Sequence, residues 1–251
     1  MGELPVSVIA INLDQDSDRF ESLSAEIARQ ENIAFQRLSA IRGSSIAKVV
    51  AGLVPGALGM AAGTLGCFLS HVRAWEVLLE STADSAIILE DDVTIRRNLA
   101  ECHAIARRSG ADVVFLNNRM ALPVEADQPP HDLQATIPVT EAILARAPLN
   151  QIACGGDGYY LTRRAAAFLL DTVRSNGVNG DVDWVILFCA LGNGLLPGLA
   201  ANRTFTRKLR DVSQFYRLPE PALTGAVLKS AAVFHGRIPS SRIQENALGA
   251  R

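Results

Sequence analysis

The stretch "SAIILEDDVTIRRN", residues 85–98, runs from an apolar, β-branched segment of buried-strand character straight into three acids, Glu90, Asp91 and Asp92. Neighbouring carboxylates repel one another and resist ionisation, so three of them at one strand end require something positive nearby. In open α/β sheets ligands gather outside the carboxyl ends of the strands, which is where these acids fall. Alternate residues of an extended segment point the same way, so Glu90 and Asp92 are expected on one face and Asp91 on the other.

Upstream, "VSVIAINL" (6–13) reads as a second buried parallel strand, followed by a helix opened at Asp16 or Ser17 with Phe20, Leu23 and Ile27 on one face. "IAFQRLSA" (33–40) closes a β-α-β unit, for which a right-handed crossover is expected. Residues 43–63, rich in Gly, Ala and Ser, predict irregular chain or short helices. From Thr64, read as a cap, a helix to residue 80 carries Leu65, Phe68, Leu69, Val72, Trp75, Leu78 and Leu79 on one stripe.

Downstream, a helix capped by Asn98 and closed by Gly110 leads to the strand "DVVFLNN". Residues 119–150, with five prolines, read as a long loop with edge-strand fragments. A Gly-rich turn, a strand and a helix follow in "GGDGYYLTRRAAAFLLDTV", then a helix in "DVDWVILFCALG" opened by acids and ended by Gly192. The alternation predicts one α/β domain over 1–251: an open, mostly parallel sheet with helices on both faces. Within it, residues 1–120 form an expected nucleotide-binding half, 121–200 an acceptor-side half and 201–251 a basic C-terminal tail.

The 251 residues are 49% hydrophobic and 20% charged, a globular composition, and the net charge of −2 argues against a nucleic-acid partner. The charge is unevenly spread. From residue 200 onward nine Lys or Arg face three acids, a local +6 that leaves −8 for the remainder. That basic end, interleaved with Phe205, Phe215 and Tyr216 but without an obvious amphipathic helix, is read either as a contact for anionic head groups or phosphorylated ligand, or as ordinary solvated surface. The four cysteines form no C-x-x-C pair, the N-terminus has no secretory pattern, and no apolar run reaches membrane-spanning length. A cytoplasmic protein is expected, resting at most peripherally on the inner face of a membrane.

A hard divalent cation such as Mn2+ or Mg2+ takes oxygen ligands, typically one or two protein carboxylates plus phosphate oxygens. The acids of residues 90–92 therefore read as a seat for a metal-bound diphosphate. Taken together, "INLDQDSDR", "GTLGCFLSHVRAWEVLLES" and "AIILEDDV" resemble, in order and spacing, glycosyltransferase family 25, the enzymes of lipopolysaccharide and lipooligosaccharide biosynthesis related to collagen galactosyltransferases. The resemblance covers roughly residues 5–190 and is specific in the combination of Gly63 to Trp75 with the strand and its acids.

The resemblance implies a GT-A type, Rossmann-like fold, a UDP-sugar donor (usually UDP-galactose), a divalent cation, and inversion at the anomeric carbon. It assigns Asn12, Leu13 and Arg19 to the nucleotide, and Glu90, Asp91 and Asp92 to the D-x-D equivalent, with Asp92 and Glu90 on the metal. Ser70 and His71 match donor-side positions, His71 being equally readable as a structural hydrogen-bonder beneath the site. Asp181 and Asp183, in "GDVDW", match the second acidic motif. Asp183 is the first choice as catalytic base and Asp181 the second, with one of them equally readable as a cap of the following helix. Asp157 and Tyr159 are expected at the acceptor.

By analogy with other GT-A families, His235 is a candidate metal ligand, and Arg237, Ser240, Ser241 and Arg242 are candidates to close over the diphosphate. The acceptor is expected to be a saccharide or glycolipid. Two rivals remain. A metal-dependent nucleotidyltransferase would share the sheet and the acids, but "NLDQDSDR" lacks its Gly-rich phosphate loop. A degenerate transferase kept as a binding module would have been free to lose Asp92.

Overall fold

The computed structural model describes residues 4–46, 52–120, 135–146, 154–191, 202–218 and 221–235. A seven-stranded sheet forms its centre, in the order β2-β1-β3-β7-β5-β8-β6. These strands are β1 (Val6–Asn12), β2 (Ile33–Ser39), β3 (Ser85–Glu90), β5 (Val113–Phe115), β6 (Thr136–Pro138), β7 (Gly158–Thr162) and β8 (Gly225–Leu228). β1 pairs in parallel with both β2 and β3, and β5 with β8, while β7 and β6 run antiparallel to their neighbours. Five strands therefore point one way, and the mostly parallel sheet expected from the sequence is present. Beside it lies a two-stranded ribbon, β4 (Val93–Ile95) with β9 (Val233–His235).

Strict alternation on buried strands divides the core in two. Val8, Ala10, Ile87 and Leu89 pack with Leu23 and Ile27 of α1 (Ser17–Ile27) and with Leu99, Cys102 and Ile105 of α3 (Leu99–Ser109). Ile9, Ile11 and Ile88 turn the other way. They meet Phe68, Trp75 and Leu78 of α2 (Ala62–Glu80), Leu169 of α5 (Arg163–Asn176), Phe188 of α6 (Val182–Leu191) and Leu209 of α7 (Arg203–Tyr216). Helices thus cover both faces of a single α/β domain, the GT-A type architecture that the resemblance implies.

Several expectations need correction. α2 starts at Ala62 rather than after a Thr64 cap, because the Ala61 carbonyl already accepts the Leu65 N–H at 2.9 Å. Within 119–150 the expected edge strand is present as β6, but the chain runs on from it into a helix, α4 (Val139–Arg146), where loop was expected. The basic end is not simply a tail. α7 is amphipathic, burying Phe205, Leu209, Val212 and Tyr216 at 3.6-residue spacing, while β8 enters the sheet and β9 builds the ribbon. Asn98 and Gly110 do cap α3 as expected, the asparagine accepting the Glu101 N–H and the glycine adopting φ 70°. Gly192 lies outside the described residues.

At the edge of the sheet opposite the carboxyl ends, buried Asp112 accepts from the Thr224 N–H at 2.8 Å, the Thr224 hydroxyl at 2.7 Å and the Arg164 guanidinium. Burial pushes this carboxyl up, but the Thr224 and Arg164 donors outweigh it and hold the group below its ordinary range. A depressed folded pKa contributes stability above the unfolded pKa, and that contribution is lost as pH falls through the folded value. Asp112→Asn is expected to cost about 1–3 kcal/mol at neutral pH. Denaturant titrations across pH should show the deficit shrinking below the unfolded carboxylate pKa of about 4.

Candidate functional site

The carboxyl ends of β1 and β3, the start of antiparallel β7 and the ribbon meet at one edge of the sheet. After β3 the three acids diverge. Asp91 turns towards β1, where its Oδ2 accepts from Asn12 Nδ2 at 2.7 Å and Arg19 lies 3.7 Å from its Oδ1. Glu90 and Asp92 turn the other way and line the same clefts, the alternation expected for consecutive residues of an extended segment.

Two adjoining clefts result. The first, of about 770 Å³, is lined by Leu13, Arg19, the chain from Ala40 to Ser44, Cys67, Glu90 and Asp92. Its wall depends on close approach of α2 to the 41–43 chain: a Cβ on Gly66 would lie 2.5 Å from the Ile41 carbonyl oxygen. The second, of about 860 Å³, is lined by Glu90, Asp92, Asp157, Asp181 and Asp183 with Arg119, His235 and Trp184.

In the second cleft five carboxylates face one arginine and one imidazole. The ribbon register pairs Val93 with His235, which sets the imidazole beside Asp92. His235 Nδ1 lies 3.8 Å from Asp92 Oδ1 and 3.8 Å from Asp157 Oδ2. All three atoms are buried and have no hydrogen-bond partner. Arg119 Nε approaches Asp157 Oδ2 to 3.1 Å as an ion pair. Burial raises the Asp157 carboxyl, with Arg119 and His235 opposing, and burial followed by the charges of Asp92 and Asp157 raises Glu90 well above its ordinary range. The site is short of positive charge, and an oxygen-and-imidazole donor set with unused lone pairs suits a hard divalent cation.

A second trio, Cys67, His71 and Glu90, brings its ligand atoms within 4.8 Å of one another. Its atoms already engage each other: His71 Nε2 lies 3.2 Å from Glu90 Oε1 and Cys67 Sγ 3.8 Å from it. Burial and then Glu90 push the Cys67 thiol up, so it stays protonated and is the poorer ligand set.

Below Glu90 runs a buried relay. Burial lowers the His71 imidazole to about 4, so it is neutral at physiological pH. Trp75 Nε1–H donates to the Tyr159 hydroxyl oxygen at 3.0 Å, and that oxygen lies 2.9 Å from His71 Nδ1. With the Trp75 donor fixed, the neutral ring is satisfied when the Tyr159 O–H donates to Nδ1 and Nε2–H donates to Glu90. Room for this pair comes from Gly156, where a Cβ would lie 3.2 Å from both Glu90 Oε1 and His71 Nε2.

Asp181 and Asp183 border the same cleft at the start of α6. The Asp181 side chain is exposed and paired with Lys208 at 2.9 Å, leaving its backbone carbonyl to accept from Trp184 and Val185. Asp183 accepts the Trp184 N–H at 2.9 Å, and burial, then the Asp181 charge, pushes its carboxyl up to about 7.

Buried bonds hold the other expected site residues in place. The Asn12 side chain donates to the Asp16 carbonyl and Asp91 and accepts from Arg37, so it braces the edge of the site. Ser70 donates to the Gly66 carbonyl and accepts the Ile41 N–H, which ties the 41–43 chain to α2. His71 and Tyr159 are fully buried with their polar atoms in the relay, His71 also lining the wall of the first cleft. Asp157, expected at the acceptor, sits on the cleft floor facing His235 and Arg119. Leu13, Arg19, Ser70, His71, Glu90 and Asp92 all line the first cleft. Arg237, Ser240, Ser241 and Arg242 lie outside the described residues.

Sequence reasoning missed "NNR" at 117–119. Asn117 Nδ2 donates to the Gly155 carbonyl at 2.7 Å, Asn118 Oδ1 accepts the His235 N–H at 3.3 Å, and Arg119 pairs with Asp157. The signal was available: polar residues directly after a buried strand fall at the carboxyl edge, where "LDQDSDR" and "EDD" also fall. Arg37 was missed for lack of any such mark.

The family model for glycosyltransferase family 25 (LPS biosynthesis protein) matches residues 6–184. No curated protein sequence matches the chain. Among solved structures, mouse xyloside xylosyltransferase 1 in its apo form is 13% identical over 95% of this chain and 89% of its own, with a TM-score of 0.38. The galactosyltransferase LgtC, in complex with donor and acceptor sugar analogs, is 12% identical over 97% of this chain and 96% of its own, with a TM-score of 0.39. Both likenesses are remote.

The relay generates a test of its own. Tyr159→Phe strands two buried polar groups, and unfolding in urea should show a loss of about 1–3 kcal/mol with unchanged slope. A loss below about 0.5 kcal/mol would remove Tyr159 as the tie between α2 and β7.

Proposed function

The chain belongs to glycosyltransferase family 25 and is a glycosyltransferase, and we propose that it is a divalent-cation-dependent, inverting enzyme. In this reading it moves a sugar, galactose in the first instance, from a UDP-sugar to a hydroxyl of a lipopolysaccharide, lipooligosaccharide or related surface saccharide. The observation that carries the reading is the position of His235 Nδ1, buried and without a hydrogen bond, 3.8 Å from both Asp92 Oδ1 and Asp157 Oδ2 in a cleft with five carboxylates.

Asp92, Asp157 and His235 would hold the cation, Mn2+ or Mg2+, with Glu90 oriented beside them by His71. When bound, it neutralises the donor diphosphate and stabilises the charge that develops on the departing nucleotide. Arg119, one-third exposed at the same cleft, offers a guanidinium to phosphate oxygens. The first cleft receives the nucleoside, against Leu13, Arg19 and the backbone of residues 40–44.

Asp183 serves as the base. Its carboxyl, pushed up to about 7, is partly ionised at neutral pH and basic enough to take a proton from an acceptor hydroxyl in attack opposite the leaving group. Asp181, paired with Lys208, tunes that value instead of taking the proton. Against a binding module that has lost its chemistry, every acid that the transfer requires faces a single cleft.

UDP-sugars and a growing glycolipid meet at the inner face of the cytoplasmic membrane, where the enzyme would act. Arg203, Arg207, Arg210 and Arg217, all exposed on or just after α7, would face anionic lipid there. Among the described residues no helix is long and apolar enough to cross a membrane.

In donor-hydrolysis assays, Asp92→Ala is expected to abolish Mn2+-dependent turnover of UDP-galactose. Asp183→Asn is expected to keep UDP affinity and lose transfer about 10²- to 10⁴-fold in kcat. Equal loss of UDP affinity in both variants would show the roles to be misassigned. Because the base works deprotonated, the rate should fall as pH drops below about 7. Removing the neighbouring charge in Asp181→Asn should move that acidic limb to lower pH, and a stationary limb would exclude Asp183 as the base.

A further inference from the structure

On the ribbon side of His235 lies a third hollow, of about 940 Å³, lined by Thr94, Arg96, Arg97, Ser230, Ala231, Phe234 and His235. His235 lines this hollow and the acid cleft alike, so the two adjoin across one side chain. Their chemistry is opposite. The acid cleft presents five carboxylates, whereas the lining of the hollow includes two arginines and no acid.

The ribbon holds these groups in place. Arg96 donates its backbone N–H to the Ala232 carbonyl at 2.8 Å and leaves its side chain exposed. Arg97 is anchored through Nη1 to the Ser230 carbonyl at 2.9 Å. Glu26, which also reaches the ribbon, accepts the Ile95 N–H at 2.6 Å. Phe234, paired across the ribbon with Thr94, is 38% exposed although aromatic. A guanidinium pair recognises phosphate or carboxylate oxygens, and an exposed ring beside it offers an apolar face to the C–H side of a pyranose.

From this juxtaposition we infer that the hollow is an acceptor subsite for an anionic saccharide, a sugar bearing a phosphate or carboxylate group. Its charged group is seated on Arg96 and Arg97 and its ring on Phe234, with the reacting hydroxyl directed past His235 into the acid cleft. The inference rests on the transferase reading above and adds to it the charge class of the acceptor. A neutral acceptor would gain no ion pair from the two arginines, and an anion entering the acid cleft directly would meet its carboxylates.

The test uses the full chain with Mn2+ and UDP present, and calorimetric titration with glucose, glucose 6-phosphate, glucuronate and inorganic phosphate, alongside co-sedimentation with phosphatidylglycerol vesicles. Glucose 6-phosphate and glucuronate are expected to bind at least about tenfold more tightly than glucose, and more tightly than inorganic phosphate. Arg96→Gln should remove the preference for the charged sugars over glucose, and Phe234→Ala should weaken all three sugars together. Retention of Mn2+-dependent UDP affinity in both variants reports an intact fold and donor site.

Equal affinity for glucose and glucose 6-phosphate, no detectable binding of either charged sugar, or a preference that survives Arg96→Gln would each overturn the subsite. Vesicle binding that depends on Arg96, without sugar-phosphate binding, would also overturn it by assigning the arginines to a lipid surface. Loss of Mn2+-dependent UDP binding in the unmodified protein is a separate result that defeats the transferase mechanism itself.

Discussion

Five carboxylates share one cleft at the carboxyl edge of the sheet, with one arginine and one imidazole among them. Mutual repulsion in a partly desolvated space works against such an arrangement unless a cation completes it. Burial first, and then the charge of neighbouring acids, raises the Glu90 and Asp157 carboxyls, and the atoms Asp92 Oδ1, Asp157 Oδ2 and His235 Nδ1 lie buried in the same cleft without a hydrogen bond. The surrounding structure reads as a device for holding these groups in register until the charge is supplied.

That holding is done by buried polar bonds, since apolar packing alone does not orient a carboxylate. Asn12 turns Asp91 away from the cleft, and the Trp75–Tyr159–His71 relay aims Glu90. Asn117 and Asn118 tie the 155–157 turn and the ribbon to the end of β5. Each tie crosses between elements far apart in the chain, so the cleft forms only when the sheet is complete. Fully satisfied networks of this kind rigidify what they join.

The sheet and its acid edge were legible in the sequence because both follow from local pattern. Continuous apolar runs marked β1 and β3, 3.6-residue periodicity marked α2, and acids directly after the runs marked the ligand edge. Asn98 and Gly110 gave both ends of α3 for the same local reason. α7 was hidden because its buried stripe of Phe205, Leu209, Val212 and Tyr216 is diluted by arginines and hydroxyl residues. Tyr159 shows what local pattern leaves open, since a polar atom at the right edge looks the same whether it points into the cleft or beneath it. Only the fold tells these apart: Tyr159 alternates with buried neighbours in β7 and spends its hydroxyl below the floor.

The pairing of His235 with Asp92 is a long-range contact, set by the β4–β9 register, and no local pattern announces it. It is also the part of the account most open to direct trial. Electron paramagnetic resonance titration of Mn2+ into chelator-stripped protein with UDP counts immobilised ions. The account predicts one equivalent per chain, bound at least about tenfold more weakly after His235→Ala. A spectrum of free Mn2+ throughout, or one unaffected by His235→Ala, would contradict it.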